Sequence, residues 1–409
     1  MKKIRGTFLS IPVLLLANAP ALWKLIDINS LLKTLIIILL TLYTLVFMLK
    51  SHGRRGSHGK IRRLDSGAFV LGCGVLQSVI QLIIVIVLCF TKLNGWRLLA
   101  NSLCAYAITT LLCLSGIARI AASARQVKIL WYVILLFTWY IPLVNCIVFR
   151  KFYKAARSEY YFEQAKLDLD AARKENEICK TKYPILMVHG IFFRDWQVIN
   201  YWGRVPNELI RNGAEVYYGK QQSKGGLDSR YAISHLGMDK YVATLTTINT
   251  PHYGCKFVDM LLGKIPESIQ SFVDRKYNKL FTALGDKDPS FLDGVYDLTY
   301  KNCSELNAST PDSQLVSYRS VMSKMNSIRS AGFPLNIGYL LNKPYGKGND
   351  GLVTVESGLY GENSKMIEHR GKRGISHGDV IDLFRENIKD FDVREFYVDI
   401  VKELKEQGF

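Results

Sequence analysis

The sequence is short of several kinds of residue and motif, and each shortage narrows what the chain can be. Only 35 acidic residues stand against 53 basic ones, which gives a formal net charge of +18 over 409 residues. The eight cysteines include no CxxC pair, so neither zinc-type ligand spacing nor a disulfide framework is supported. Nucleic-acid-binding motifs are also absent. Despite the excess of basic residues, we therefore expect no nucleic-acid partner.

What the sequence does contain is apolar residues, 49% of the chain, concentrated in its first third. Five apolar segments each approach the roughly 20 residues that a helix needs to span a bilayer: 8–26, 31–49, 68–90, 98–120 and 129–149. We therefore expect an integral membrane protein whose residues 1–150 form an α-helical transmembrane bundle of about five helices.

The first segment is open to a second interpretation. It carries Pro12, Asn18, Pro20 and Lys24, and it could be a signal peptide instead of a span. No clear small-residue cleavage site precedes further soluble chain, and a second apolar segment follows almost at once. A retained membrane anchor is therefore the favoured interpretation.

Basic residues predict the orientation of the bundle. They cluster before the first segment and in the loops 50–63 and 119–128, whereas the intervening loops are poorer in charge. Because short cytoplasmic loops are enriched in Lys and Arg, five spans place the C-terminal region on the extracytoplasmic side. If the first segment does not span, that region is cytoplasmic, and the basic residues at 150–157 favour this alternative.

After the last apolar segment the chain changes character twice. Residues 151–181 are polar, mix charges of both signs and predict a juxtamembrane helical connector. From residue 182 onward, strand candidates at 183–191, 213–218, 243–254 and 350–357 alternate with helical stretches such as 206–212. This alternation predicts that 182–409 form an α/β domain with a mostly parallel sheet.

Five stretches of this domain carry a family resemblance: "YPILMVHGIFFRDW", "SKGGLDSRY", "TTINTPHYG", "NDGLVTVES" and "ISHGDVIDL". In content and order they resemble the landmarks of bacterial triacylglycerol lipases of the α/β-hydrolase fold. The resemblance implies a bacterial plasma-membrane protein with a serine hydrolase triad of Ser223 as nucleophile, Asp350 as acid and His377 as base. In such a triad the histidine takes the serine proton, and the carboxylate orients the imidazole and stabilises its charged form.

The resemblance also assigns supporting residues. The oxyanion hole would be formed by the backbone N–H groups of Ile191 and Lys224, with His189 shaping the loop. Asp379 matches a position that helps to bind a structural calcium in several of these lipases, although the partner acid upstream of Asp350 has no counterpart. The alternative is that Asp379 caps the following helix, and no other cofactor is expected.

Apolar residues recur close to one helical face in residues 257–281. The resemblance makes this segment a candidate lid, which would cover an apolar substrate cleft in water. The alternative is an ordinary amphipathic helix packed on the sheet. The face consists of Ile265, Ile269, Phe272, Val273, Tyr277 and Leu280.

The sequence departs from the lipase pattern just before the nucleophile. Gln221 and Gln222 precede Ser223, where the family has a GxSxG or AxSxG elbow. The family also places a helix and a buried strand before the serine. The chain between Gly213 and Ser223 is too short for them, because even a crossover connection takes about a dozen residues. Relative to the family, roughly 40 residues are missing. The α/β domain is thus expected to lack one strand and one helix. Either the "EVYY" strand feeds the turn and Ser223 is still presented, or the triad cannot assemble.

The predicted function is that of a membrane-anchored serine hydrolase, a lipase or esterase that cleaves carboxylic esters of lipids through an acyl-enzyme at Ser223. Two alternatives stay open at the level of sequence. One is a catalytically impaired lipase-like domain that serves as a membrane-associated lipid-binding module. The other is an acyltransferase that uses the same triad.

Overall fold

The computed structural model describes residues 2–26, 28–54, 59–91, 93–139, 141–190, 201–219, 224–283 and 289–409. The chain divides into two compact units, Met1–Leu169 and Asp170–Phe409. Every described secondary-structure element of the first unit is a helix, and the second contains all the described strands.

Apolar helices build the N-terminal unit. Of these, α3, α4 and α5 are long and apolar enough to cross a membrane, among the residues that the structure describes. The helices are α1 Lys2–Ala17, α2 Ala19–Leu25, α3 Ser30–Leu49, α4 Gly59–Cys89, α5 Gly95–Ala121, α6 Ile129–Thr138 and α7 Pro142–Arg173.

The structure differs from the expected five spans at the first and fifth segments. Residues 8–26 are divided between α1 and α2, and the break falls at Asn18, two residues before Pro20. Residues 129–149 are divided between α6 and α7, where Pro142 begins the second helix. Proline has no backbone N–H to donate and is favoured in the first turn of a helix, so both breaks follow from the local sequence.

A buried amide cluster joins three elements of this unit. The Asn18 and Gln81 side chains exchange two hydrogen bonds, with donor–acceptor distances of 2.8 and 2.9 Å. The Asn101 amide donates to the Asn18 side-chain oxygen at 3.0 Å, and the Ala21 N–H donates to Asn101. Buried polar groups require such partners, and the cluster therefore fixes the break after α1 against α4 and α5.

The predicted connector is not a separate helix. α7 runs without interruption from the apolar residues after Pro142 to the polar stretch that ends at Arg173. The boundary between the two units falls inside this helix, at Leu169 and Asp170.

The C-terminal unit alternates strands and helices. Its strands are β1 Ile185–Met187, β2 Val216–Tyr218, β3 Thr244–Ile248, β4 Ser317–Met322 and β5 Ser364–Met366. Its helices are α8 Val205–Arg211, α9 Gly225–His235, α10 Lys256–Lys264, α11 Glu267–Ala283, α12 Phe291–Tyr296, α13 Tyr300–Ser309, α14 Leu335–Asn342, α15 Val355–Gly358, α16 His377–Val380 and α17 Val393–Glu406.

The described strands form two parallel sheets. One holds β1 beside β2, with Ile185 opposite Val216. The other has the order β3-β4-β5, with Thr244 opposite Ser317 and Ser320 opposite Ser364. The prediction of an α/β domain with parallel strands is confirmed, but β1 and β3 are not paired with each other in the described part of the chain.

Two details of the strand prediction were wrong. The apolar run at 350–357 is a turn followed by α15, because the Asp350 carboxylate accepts the N–H groups of Leu352 and Val353 and folds the chain back. β4 and β5 were not predicted. In β4 the half-buried Arg319 and the buried Ser320 interrupt the apolar pattern. Ser320 can be wholly buried because its hydroxyl donates to the carbonyl of Tyr360.

An ion-pair cluster joins three helices of this unit. The Arg173 guanidinium at the end of α7 lies 3.0 Å from Asp170, 3.3 Å from Glu208 of α8 and 2.6 Å from Glu395 of α17. One carboxylate oxygen from each of the three acids lies within 4.8 Å of the other two. Arg173, helped by Arg211, therefore supplies the positive charge that lets three carboxylates share one site.

Replacing Arg173 tests this cluster. We expect Arg173→Met to lower the free energy of unfolding by about 3 kcal/mol, because it leaves three carboxylates facing one another with one arginine fewer. Urea titration of the full chain in detergent measures the change. Lys180→Met is the matched control, because its pair with Glu177 is exposed and is worth at most about 1 kcal/mol. Equal effects of the two substitutions would contradict the account.

A buried histidine follows β3. The His252 ring Nε2 lies 2.8 Å from the Thr247 hydroxyl, and the ring stacks on Tyr360 with 4.5 Å between centroids. Its Nδ1 atom is buried without a hydrogen-bond partner among the described residues. Burial, together with the nearby charge of Arg230, lowers the pKa of His252 from 6.5 to about 3.

This histidine makes stability depend on pH. Between pH 6.5 and 3 the unfolded chain binds a proton that folded His252 does not, so stability falls as the pH falls through that range. Between pH 7 and pH 4 this one group lowers the free energy of unfolding by about 3 kcal/mol. We expect His252→Gln to remove that part of the dependence of unfolding free energy on pH. Urea titrations at several pH values measure it, with His235→Gln as the control for the substitution itself. Identical slopes in the native chain and His252→Gln would refute the assignment.

Candidate active site

Two side chains far apart in sequence meet at the site. The Nδ1 atom of His377 lies 2.7 Å from the Oδ2 atom of Asp350. Asp350 is wholly buried, and its other oxygen accepts the N–H groups of Leu352 and Val353 at 2.8 and 2.7 Å. A proton on Nδ1 that is donated to this carboxylate leaves Nε2 of His377 as a hydrogen-bond acceptor. The predicted acid and base are therefore brought together in the geometry that the triad requires.

The chain that follows β4 holds both loops. The Met325 N–H donates to the carbonyl of Asn349, next to Asp350, at 2.8 Å. On the other side the Ile375 N–H donates to the carbonyl of Lys324, also at 2.8 Å. His377 itself donates its backbone N–H to the carbonyl of Asp350. One extended segment at the carboxyl end of a central strand thus fixes the separation of the acid and the base.

Asp379 caps the helix that begins at His377. Its carboxylate accepts the backbone N–H and the hydroxyl of Ser376 at 2.8 and 2.7 Å, and Ser376 in turn accepts the Asp379 N–H. The same carboxylate pairs with the Arg373 guanidinium at 2.6 and 3.0 Å. A calcium ion needs several oxygen ligands, whereas the groups around Asp379 are hydrogen-bond donors and a cation. The residues present do not fit the calcium site that the resemblance implies.

The first turn of α9 lies at the ends of both β1 and β3. The Gly225 N–H donates to the carbonyl of His189 at 3.2 Å, and a Cβ on Gly225 would lie only 2.5 Å from that oxygen. A Cβ on Gly226 would overlap the side chain of Thr250. The two glycines after Lys224 are therefore required for close approach of the helix, which is the role of small residues at a strand-to-helix turn.

Lys224 is held by two acids. Its Nζ atom lies 3.0 Å from Asp228 and 2.6 Å from Asp297. Burial disfavours the charged amine, but the two carboxylates outweigh it and raise the pKa of Lys224 above its ordinary value. Asp297, which follows α12 directly, restrains the residue next to the predicted nucleophile, and no sequence pattern identified it.

The loop after β1 is shaped by an aromatic pair. The His189 ring Nδ1 lies 3.0 Å from the carbonyl of Gly190, and its ring is 5.7 Å from that of Tyr201. Burial raises the pKa of Tyr201 to about 12, although a hydrogen bond with the Gly190 backbone opposes the shift. No hydrogen bond joins His189 to Asp350 or His377 among the described residues, and its loop-shaping role stays a prediction.

The remaining predicted residues, Ser223 and Ile191, lie outside the described residues. Lys224 follows Ser223 directly and Gly190 precedes Ile191. Lys224, Gly190 and His377 line one cavity of about 880 Å³. The assignments of Ser223 as nucleophile and of Ile191 and Lys224 as oxyanion donors stay predictions.

The candidate lid presents its apolar face outward. On α11 the side chains of Ile269, Phe272 and Leu280 are each about half exposed, at 51%, 53% and 50%. α11 is joined to α10 through Gln270, whose amide donates to the carbonyls of Leu262 and Ile265. The alternative of an amphipathic helix that buries this face against the sheet does not describe α11.

Comparison with known proteins finds lipases. The chain is 30% identical over 207 residues to triacylglycerol lipase 2 of Saccharomyces cerevisiae, covering 46% of this chain and 56% of the relative. It is 27% identical over 190 residues to a triacylglycerol lipase of Burkholderia plantarii, covering 36% and 52%. It is 27% identical over 180 residues to a triacylglycerol lipase of Pseudarthrobacter phenanthrenivorans, covering 33% and 56%.

The chain thus spans about half the length of the curated relatives it matches. The Burkholderia plantarii alignment runs over 190 residues but takes up 36% of the 409 residues here, about 147. About 40 aligned positions of that relative therefore have no counterpart in this chain.

Two other comparisons, with family models and with solved structures, give weaker similarity or none. No family model matches the sequence. Among solved structures, the mature form of the Bacillus licheniformis lipase BlEst2 has 20% sequence identity and a TM-score of 0.36, covering 50% of this chain and 90% of that one. By the sequence matches, part of this chain is similar to triacylglycerol lipases from a yeast and from bacteria.

Proposed function

We propose that the chain is a membrane-anchored serine hydrolase that cleaves carboxylic esters of lipids through an acyl-enzyme at Ser223. The observation that carries the proposal is the 2.7 Å contact between His377 Nδ1 and the wholly buried Asp350 carboxylate. A carboxylate that is itself held by two backbone N–H groups fixes the orientation and tautomer of the imidazole, as the triad mechanism requires. The likeness to triacylglycerol lipases supports the same reaction class.

In the first half of the proposed reaction, the Ser223 hydroxyl oxygen attacks the carbonyl carbon of the ester. Its proton passes to Nε2 of His377, and Asp350 stabilises the imidazolium that forms. The carbonyl oxygen becomes an oxyanion, for which the backbone N–H groups of Ile191 and Lys224 are the proposed donors. The C–O bond to the alcohol then breaks, and His377 returns the proton to the leaving alcohol.

The second half repeats these steps with water. His377 takes a proton from a water molecule, whose oxygen attacks the acyl carbon, and the bond to Ser223 breaks as the serine oxygen regains the proton. The products are a carboxylic acid and a free enzyme. An alcohol in place of this water would give acyl transfer with the same residues, which is the second reaction that the triad allows.

One feature of the C-terminal unit supports lipid esters as the substrates. α11 presents exposed apolar residues to the surroundings, as a helix that contacts lipid does. The apolar helices α3, α4 and α5 could hold the chain in a membrane. The matched relatives come from a yeast and from bacteria, so they do not select a bacterial plasma membrane.

Fluorophosphonate labelling tests the nucleophile. We expect a fluorophosphonate probe to label the native chain in detergent, and Ser223→Ala to abolish the label, because the probe forms its bond with an activated serine oxygen. Ser234→Ala is the matched control, since Ser234 lies on α9 away from the cavity and its loss should leave labelling intact. No labelling of the native chain would instead favour the impaired lipid-binding module.

Amide substitution tests the acid. Asp350→Asn keeps the shape of the side chain but can donate to Nδ1 of His377, which favours the wrong imidazole tautomer. We expect kcat for a short-chain p-nitrophenyl ester to fall about 10³–10⁴-fold, with His377→Ala at least as severe. Asp390→Asn, a change at an exposed acid, should keep the native rate. Hydrolysis retained in Asp350→Asn and His377→Ala would refute the triad.

A further inference from the structure

The cavity of about 880 Å³ lies between the two sheets of the C-terminal unit. Its walls include every residue from Ile185 to Val188 on one side and from Thr244 to Asn249 on the other. Successive side chains of a strand point to opposite faces of its sheet. A cavity lined by consecutive residues therefore meets β1 and β3 along their edges.

The β1 edge that faces the cavity has unused backbone groups. β1 bonds to β2 through Ile185, whose N–H donates to Glu215, and through Met187, whose carbonyl accepts from Gly219. In a parallel pair only alternate residues of a strand bond to a given neighbour. The N–H and C=O groups of Leu186 consequently point to the other edge, where no described residue pairs with them.

The same holds for β3. It bonds to β4 through the carbonyl of Ala243 and the N–H of Asn249, so the backbone groups of Thr244 and Thr246 point away from β4. β3 is the end strand of its sheet among the described residues. The hydroxyl of Thr246 is also buried without a hydrogen-bond partner in the part of the chain described. Among the described residues, two strand edges and a buried hydroxyl thus face one space without hydrogen-bond partners.

The space between the edges suits one strand. Neighbouring residues of α9, Gly225 and Gly226, touch the chain just after β1 and just after β3, at His189 and Thr250. The two strands therefore bring their carboxyl ends side by side under one helix turn. Strands in a sheet are about 4.8 Å apart, so one absent strand leaves its two neighbours roughly 10 Å apart.

The cover above and below predicts the side chains of an occupant. α9 contributes Ala232 and Ile233 to the lining, and α17 contributes Tyr397 and Val401. A strand placed in the space would have apolar neighbours on both faces, and such strands are apolar at consecutive positions. An acyl chain would fill the volume but could not pair with the backbone groups of β1 and β3, which are costly to leave unpaired when buried.

We propose that this cavity is a strand-binding slot, which takes up an extended apolar peptide of about five residues from another polypeptide, parallel to β1 and β3. Pairing with a free sheet edge is a known way of binding peptides, and here two edges would pair with one strand. The roughly 40 positions that the Burkholderia plantarii lipase has beyond this chain are consistent with a segment that the relative carries itself. The proposal goes beyond ester hydrolysis and does not depend on it.

Binding of a labelled peptide to the full chain in detergent tests the slot. The probe is a fluorescein-labelled peptide with the core Val-Ile-Val-Ile-Val between lysines, and the matched probe carries N-methyl groups on alternate core residues. Because N-methylation removes the donors toward one strand edge and leaves the apolar side chains in place, we expect it to raise Kd at least tenfold. Fluorescence anisotropy measures both, in the native chain and in Ser223→Ala, where hydrolysis plays no part.

Two variants locate the site. Ala232→Trp should fill the slot and raise Kd for the unmethylated peptide at least tenfold, whereas Ser234→Trp, on the same helix but outside the lining, should leave Kd unchanged. If Ala232→Trp does not fold, the comparison of the two peptides in the native chain decides alone. Absence of peptide binding, or equal Kd for the methylated and unmethylated peptides, overturns the proposal. Competition by palmitate with equal affinities for both peptides would identify an acyl-binding cavity instead.

Discussion

The hydrogen bond between Asp350 and His377 is the interaction around which the C-terminal unit is organised. A carboxylate can be wholly buried only if its oxygens are paired, and here backbone N–H groups and the imidazole supply those partners. The extended segment after β4 sets the two loops at the required separation. The proposed acid and base are thus held in position by backbone hydrogen bonds before any substrate binds.

The part of the site next to Ser223 is supported by different elements. α9 begins at Gly225 against the ends of β1 and β3, and Lys224 is restrained by Asp228 and Asp297. Yet the strands beneath it are not joined in the described residues, and the cavity between them has two free edges. The acid and base therefore stand on a continuous three-stranded sheet, whereas the helix that follows Ser223 covers a gap. The proposed ester hydrolysis therefore rests on Asp350 and His377, whereas the proposed peptide binding rests on the edges of β1 and β3.

Much of this could be predicted from the sequence, for identifiable reasons. His377 and Asp350 sit in short motifs whose order and spacing are typical of lipases, so their pairing was predictable. β1, β2 and β3 are apolar runs bounded by turn residues and were predicted. β4 was not, because its buried Ser320 is satisfied by a distant carbonyl that no local pattern reveals. The strand predicted at 350–357 was wrong because the Asp350 side chain bonds to the backbone of its own loop, and this local turn overrides the strand preference of the β-branched residues. Asp379 exchanges hydrogen bonds with Ser376 at the start of α16, which is the helix-capping role and not the calcium-binding role that the resemblance implies.

The proposed reaction requires Ser223 to work with His377 and Asp350 as one catalytic unit despite the gap beside it. Rapid acid quench of the full chain with p-nitrophenyl butyrate, followed by peptide mapping in a mass spectrometer, tests it most directly. The account predicts a butyryl group on the peptide that contains Ser223, formed within the first turnover and absent in His377→Ala. An unmodified Ser223 peptide during active hydrolysis, or a butyryl group on another residue at the same rate, would contradict it.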